Sequence, residues 1–152
     1  MKELNLPAYS FKIKESSKGA KMIFDAIRKK YVVLTPEEWV RQHFINYLVN
    51  HRGYPQGLIG VEVMFRMNDL TRRVDIMVYN RVGNPLLAVE CKAPAVKVDR
   101  MVFDQIVEYN IKFRLNYLLV TNGIKHYGCR VDWETGSYSF LDNIPLYNEI
   151  ID

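Results

Sequence analysis

Cysteine is nearly missing from this 152-residue sequence: Cys91 and Cys129 stand alone, with no CxxC pair. Two thiols cannot build a disulfide framework, and a reducing compartment fits that usage. The three histidines (His43, His51 and His126) are scattered, so the closely spaced His/Cys pairs of a structural zinc site are lacking. Eight glycines and six prolines are too few for a fibrous or low-complexity chain. No apolar run approaches the roughly 18 residues of a membrane span, and Met1 to Pro7 lack a signal-peptide apolar core. A cytoplasmic protein without membrane association is therefore expected. No G-xxxx-G-K-[ST] loop occurs, so no nucleotide cofactor is expected.

What is present is an ordinary globular make-up, 49% hydrophobic and 25% charged, long enough for one domain with a real core. The net charge of +4 is unevenly spread. Residues 1–30 carry eight Lys/Arg against Glu3, Glu15 and Asp25, whereas residues 131–152 carry five acids and no Lys/Arg. A basic end can attract a polyanion such as DNA, although a charge run is more often a solvated face.

The pattern predicts one domain in three parts: an accessory β meander over 1–34, a core over 35–123, and a C-terminal hairpin and tail over 124–152. In the meander, Tyr9, Phe11 and Ile13 alternate with polar residues as a strand does. Lys21 to Ile27 and Tyr31 to Leu34 follow as two more strands. Thr35, Pro36 and Glu38 form a helix start, with Thr35 as N-cap and Glu38 at the capping-box position. Val40, Phe44, Tyr47, Leu48 and His51 recur at helical spacing after it. Strands are predicted over Leu58–Phe65, Arg73–Tyr79 and Leu86–Lys92. A second helix fits Asp99–Arg114, with Val102, Ile106, Tyr109 and Phe113 as its buried stripe. Tyr117–Thr121 is an apolar strand, and a hairpin turns around Thr135-Gly136. The fold class is α/β, a mixed central sheet flanked by helices in the order αβββαβ.

The chemistry lies in Arg73-Val-Asp-Ile-Met-Val-Tyr79 and Leu86-Leu-Ala-Val-Glu-Cys-Lys92. If a hairpin turns between Val82 and Gly83, antiparallel partners pair Tyr79 with Leu86, Met77 with Ala88, and Asp75 with Glu90. Strand alternation then sets Asp75 and Glu90 across from each other on one face, about 5 Å apart at Cβ. Opposed carboxylates repel, and Glu90 follows an apolar run where lone acids are rarely left. A divalent cation answers both problems, and Lys92 points to the same face. A surface salt-bridge cluster would use the same residues, and from the residues alone the two readings stand about even.

These residues resemble the PD-(D/E)XK nuclease superfamily, in which an Asp on one strand precedes a (D/E)-X-K on the next, here Asp75 and Glu90-Cys91-Lys92. Val74 stands where the nominal motif has Pro. More narrowly, five segments are similar to small proteins related to the N-terminal nuclease region of type I restriction enzyme R subunits. They are Leu34-Thr-Pro-Glu-Glu-Trp-Val-Arg-Gln42, Arg73-Val-Asp-Ile76, Val89-Glu-Cys-Lys-Ala-Pro94, Phe103-Asp-Gln-Ile-Val-Glu-Tyr-Asn110 and Val120-Thr-Asn-Gly123. The resemblance implies a restriction-endonuclease-like core and Mg²⁺-dependent DNA cleavage, with Mn²⁺ as substitute. It implies Asp75 and Glu90 as metal ligands and Lys92 as the group that orients water. A further acid from the first helix is Glu37 or Glu38; Glu38, at the rim of the apolar stripe, is favoured. Gln105 and Tyr109 match a Q-xxx-Y element of RecB-like members, although Tyr109 also fits the core stripe. Without a P-loop the chain cannot itself be a translocating motor, which separates DNA cleavage from restriction as a role. A homodimer fits by analogy, since cutting both strands takes two sites. A catalytically silent DNA-binding or assembly module that keeps the fold is the alternative, and a purely structural partner domain ranks below it.

Overall fold

A computed structural model describes residues 1–151. Two sheets and two helices make the fold. The first sheet is an antiparallel meander of β1 (Ile13–Glu15), β2 (Lys21–Asp25) and β3 (Lys30–Val33). The second has six strands in chain order: β4 (Ile59–Met67), β5 (Leu70–Tyr79), β6 (Pro85–Cys91), β7 (Tyr117–Thr121), β8 (His126–Asp132) and β9 (Ser137–Phe140). Only β6 and β7 run parallel, joined by α2 (Arg100–Asn110), while α1 (Pro36–His51) precedes β4. The mixed αβββαβ core is thus present, and the C-terminal hairpin β8–β9 extends its sheet. Among the described residues no helix is long and apolar enough to cross a membrane.

Local signals account for most boundaries. Thr35 Oγ1 accepts the Glu38 N–H at 3.0 Å, and Pro36 occupies the first helical turn. Asp99 caps α2 in the same way through Val102 N–H at 2.9 Å. Leu86 to Val89 are buried, as expected of a strand covered on both faces. One face of the sheet packs Ile76, Val78, Leu87, Val89 and Leu119 against Val40, Phe44 and Leu48 of α1. The other packs Val74, Met77, Ala88, Leu118 and Val120 against Phe103 and Val107 of α2. Truncating Phe44 or Phe103 to Ala costs about 3–5 kcal/mol at such fully buried sites. Gly123 (φ +85°) lets the N-terminal segment close over the sheet end. A Cβ there would lie 2.8 Å from Leu4 Cδ2, and its carbonyl accepts Asn5 N–H.

Three elements differ from the sequence expectation. The strand predicted to start at Tyr9 is confined to Ile13–Glu15; Tyr9 and Phe11 instead pack edge-on or tilted against His43, His51 and Trp39 of α1. Alternating aromatics suit an extended segment laid on a helix as well as a strand. The second helix ends at Asn110, and Ile111–Phe113 form a tighter 3₁₀ turn closed by Arg114 at φ +58°. Its buried residues are therefore Phe103, Val107 and Asn110, and Tyr109 is 55% exposed rather than part of the core stripe. On α1, Val40, Phe44 and Leu48 are buried, but Tyr47 is half-buried and His51 exposed.

Candidate active site at the open end of a hairpin

The β5–β6 hairpin follows the predicted register at its centre, where Ile76, Met77 and Val78 pair with Val89, Ala88 and Leu87. It shifts at Tyr79, which pairs with Pro85 rather than Leu86. Beyond Ile76 the regular pairing stops. There the Asp75 carboxylate takes over from the backbone: Oδ2 accepts the Cys91 N–H at 2.8 Å. Asp75 is thereby held against the middle residue of Glu90-Cys91-Lys92.

The side-chain alternation also slips at this point. Ile76 and Val78 pack on the α1 side, yet Val74 packs with Met77 on the α2 side, so Asp75 marks a break in the period of two. The neighbouring strand is irregular at the same level, where Glu62 adopts φ +51° between the pairs Val61–Ile76 and Val63–Val74. The expectation that Asp75 and Glu90 face each other on one surface is corrected accordingly. Asp75 turns toward α1, where Oδ1 accepts from Arg41 Nη2 at 2.9 Å. Glu90 keeps the α2 side, with Lys92 Nζ at 3.0 Å and Arg72 Nη2 at 3.8 Å.

Around Asp75 lies a dense charge network. Arg41 binds Glu38 and, at 3.1 Å, Glu37 Oε1. Glu38 Oε2 accepts from Gln42 Nε2 and from Arg28 Nη2, each at 2.9 Å. Arg28 also binds Asp25 Oδ2 at 2.6 Å and Glu62 Oε1. Arg73 Nη1 closes the outer edge on Glu62 Oε2 at 3.2 Å. Burial works against the charges of Arg28 and Arg41, yet the surrounding carboxylates raise both pKa values. Burial likewise opposes the Asp25 charge, and hydrogen bonds from Arg28 overcome it, leaving that carboxyl below its ordinary value.

Glu38 does not hold the rim position expected of it. The Glu38 side chain is 6% exposed with both oxygens held, so it is a buried structural anion rather than a rim acid. The Glu37 side chain is 46% exposed. Burial of its inner part and the charge of Asp75 raise the Glu37 carboxyl above its ordinary value. The fault in the sequence reading was to measure rim position against the apolar stripe alone, since the charged inner face of α1 also packs inward. Arg28, Arg41, Glu62 and Arg72 were not foreseen. The Glu37/Glu38-to-Arg41 spacing of four and three residues was a readable signal for one of them.

Gln105 and Tyr109 both lie on the exposed side of α2. Tyr109 packs on Phe113 with centroids 6.1 Å apart, and the Arg72 guanidinium lies 5.9 Å from that same ring. Tyr109 and Arg72 thus share Phe113 as a neighbour, while among the described residues Gln105 makes no side-chain hydrogen bond. The Cys91 thiol is fully buried and pushed well above its ordinary pKa, which makes it an inert core group. Among the described residues no three His, Cys, Asp or Glu side chains group as a ready metal cage. Mg²⁺ takes one or two carboxylates with waters and substrate oxygens, so the oxygen donors Asp75, Glu90 and Glu37 suit its chemistry without such a cage.

Residues 36–145 match the family model described as type I restriction enzyme R protein N terminus (HSDR_N). The chain belongs to that family. No curated protein matches it. Among solved structures it is similar to a fragment assigned to an HsdR subunit of a type I restriction enzyme from Vibrio vulnificus YJ016, with a TM-score of 0.53 and 21% identity over 77% of this chain. That likeness bears on the fold alone, and the chain spans only 24% of the length of that protein. The family match begins at α1, so the basic meander lies outside it.

Proposed function

We propose that this member of the R-protein N-terminal family hydrolyses DNA phosphodiesters with a bound Mg²⁺, for which Mn²⁺ substitutes. The observation that carries the proposal is the Asp75 carboxylate seated on the N–H of Cys91, between Glu90 and Lys92. Glu90 would hold the cation from the Lys92 side, and Asp75, whose carboxylate meets the chain at the Cys91 N–H next to Glu90, would reach it from the α1 side. Glu37, paired only with Arg41 and half exposed, is the helix acid that could join them, because Glu38 is fully engaged. When bound, the cation lowers the pKa of water and offsets charge on the phosphoryl group. Lys92, two residues from Glu90 and 35% exposed in its side chain, orients the attacking water or neutralises the phosphate. Tyr109 and Gln105 contribute an exposed helix face along which the DNA backbone is positioned. The seven exposed Lys of residues 1–30 supply attraction to that backbone, Arg28 being engaged by three carboxylates.

The test is cleavage of duplex and single-stranded DNA by the purified chain with and without Mg²⁺ or Mn²⁺. Metal-dependent cleavage that is lost in Glu90→Ala and Lys92→Ala, both retaining the wild-type melting temperature, supports the proposal. One observation favours a second role, a silent DNA-binding or assembly module: Arg41 already neutralises Asp75. Salt-sensitive DNA binding without metal-dependent cleavage would select that role.

A further inference from the structure

Among the described residues near Glu90, Arg72 keeps a guanidinium arm with no acceptor. Its side chain is 9% exposed, and Nη1 is buried with no hydrogen-bond partner. Nη2 lies 3.8 Å from Glu90 Oε2, a favourable charge contact but too long for a hydrogen bond. The flat side of Phe113 approaches the guanidinium without offering an acceptor. A guanidinium stays charged under all ordinary conditions, and a buried N–H arm of it without an acceptor is unfavourable. Buried polar groups without partners are rare enough that each asks for a cause. The contrast with Arg28 and Arg41 lies in the terminal nitrogens: in both, each Nη reaches a carboxylate, and only the Nε of Arg41 is buried without a partner.

The surroundings of Arg72 name the missing partner. Lys92 stands on the other oxygen of Glu90, so this carboxylate serves two cations, and the Lys92 charge also reaches Glu37. What is missing is an acceptor for a planar fork with one arm turned toward Glu90 and the other without a partner. Phosphate oxygens match that fork better than any other common anion. Nη1 is closed to solvent, and Lys92, which shares Glu90 with Arg72 and is 35% exposed in its side chain, is the part that must yield to admit a ligand.

We infer that Arg72 forms a phosphate subsite, its free Nη1 arm taking a non-bridging oxygen of the phosphodiester while its other arm keeps Glu90 in place. The subsite rests on the proposed nuclease function for its purpose, but not for its detection. Arg72 acts on the substrate only through charge and hydrogen bonding; no bond forms or breaks on it.

The experiment follows the arginine side-chain ¹⁵Nε–Hε signals of the full chain by NMR, with Arg72 assigned by its loss in Arg72→Lys. A short thymidine oligonucleotide is titrated in EDTA, and inorganic phosphate in a parallel series. A saturable shift confined to the Arg72 signal, tighter for the oligonucleotide, supports the subsite. An unmoved Arg72 signal while DNA binding is seen elsewhere overturns it, as does an equal response of all exposed arginines, which would mark general screening. If cleavage is present, Arg72→Gln is expected to raise KM at least tenfold, with Arg72→Lys recovering part of the loss. A variant that lowers only the melting temperature, with kcat and KM unchanged, also overturns it. Absence of cleavage together with a specific Arg72 shift would reject the nuclease proposal and keep the subsite.

Discussion

The two halves of the site are built on opposite electrostatic plans. On the α1 side, Asp25, Glu37, Glu38, Glu62 and Asp75 are knitted together by Arg28, Arg41 and Arg73, and most of these oxygens have a named partner. On the α2 side, Glu90, Lys92 and Arg72 are few, and one guanidinium arm is unused. A nearly saturated network holds elements in place, because every member already has at least one partner; among the described residues Arg41 Nε is its buried donor without one. An unsaturated one leaves free energy to be gained from a ligand. On the proposed function, the comparison assigns scaffolding to Asp25, Glu38 and Glu62 of the first half and contact with substrate to the second, with Asp75 and the half-exposed Glu37 at the boundary.

The sharpest way to break that division is to mutate one residue from each half and read activity and stability together. Lys92→Ala is expected to cut cleavage by about 10²–10⁴, the range of a lost proton-handling or orienting group, and to shift the melting temperature little. Arg41→Ala should do the reverse in proportion. It strands Glu38 and Asp75, both largely buried, and removing one partner of a buried ion pair costs about 3–5 kcal/mol. Urea denaturation midpoints measure that loss. An Arg41→Ala protein as stable as wild type would show that the α1 network is not a scaffold.

Most of the framework was legible before any coordinates. Thr35 and Asp99 announced their helices because a cap is a local chemical event. The strands from Ile59 to Asp132 announced theirs because burial imposes a period of two or a continuous apolar run. Asp75, Glu90 and Lys92 were identified as a group from spacing. Their mutual orientation was not legible, because it hangs on Glu62 at φ +51°, a conformation that a Glu carries no local signal for. Tyr109 was misplaced because the buried stripe of α2 runs through Phe103, Val107 and Asn110, one residue on from Val102, Ile106 and Tyr109, which fall on its flank. Arg28 and Arg41 find partners 34 residues distant in the chain, and no periodicity reports such pairs.

The two adjacent glutamates of α1 offer a finer version of the comparison. Glu38→Gln should destabilise by about 1–3 kcal/mol, since a hydrogen-bonded charge is removed from between two buried arginines. Glu37→Gln should leave stability within about 0.5 kcal/mol, as for an exposed pair, while weakening Mn²⁺ binding measured by calorimetry. If Glu38→Gln alone weakens Mn²⁺ binding, the assignment of the helix acid reverses.

Acidification probes the same boundary from outside the site. Burial lowers the pKa of His43 and His126 below their ordinary value, about 6.5. The unfolded chain then binds protons more readily than the folded one, so stability is complete above pH 6.5 and declines as pH falls through that value. His126 donates Nε2–H to the Asn5 carbonyl at 3.0 Å and accepts the Thr121 hydroxyl at Nδ1, an arrangement of the neutral ring. The melting temperature should fall between pH 7.5 and 5.5, and less steeply in His126→Asn. Asp25, shifted the other way from what its burial alone would produce, contributes stability above the ordinary carboxylate range that is lost only as pH drops through its lowered folded value.

Thr35 separates a local from a transmitted effect. Its hydroxyl accepts the Glu38 N–H, one of four helix donors that lack an internal partner, and Thr35→Ala removes that bond at a cost of about 1 kcal/mol. The first turn it anchors carries both Glu37 and Glu38. If the α1 half is a scaffold held by its ion pairs, fraying that turn lowers the unfolding midpoint and leaves Mn²⁺ affinity unchanged, because Arg28 and Arg41 still clamp Glu38 at both oxygens. Thr35→Ser, which keeps the acceptor, should restore the midpoint. A fall in Mn²⁺ affinity that the Ser variant also repairs would mean that the helix start itself sets the position of Glu37, and that the scaffold reaches into the ligand set.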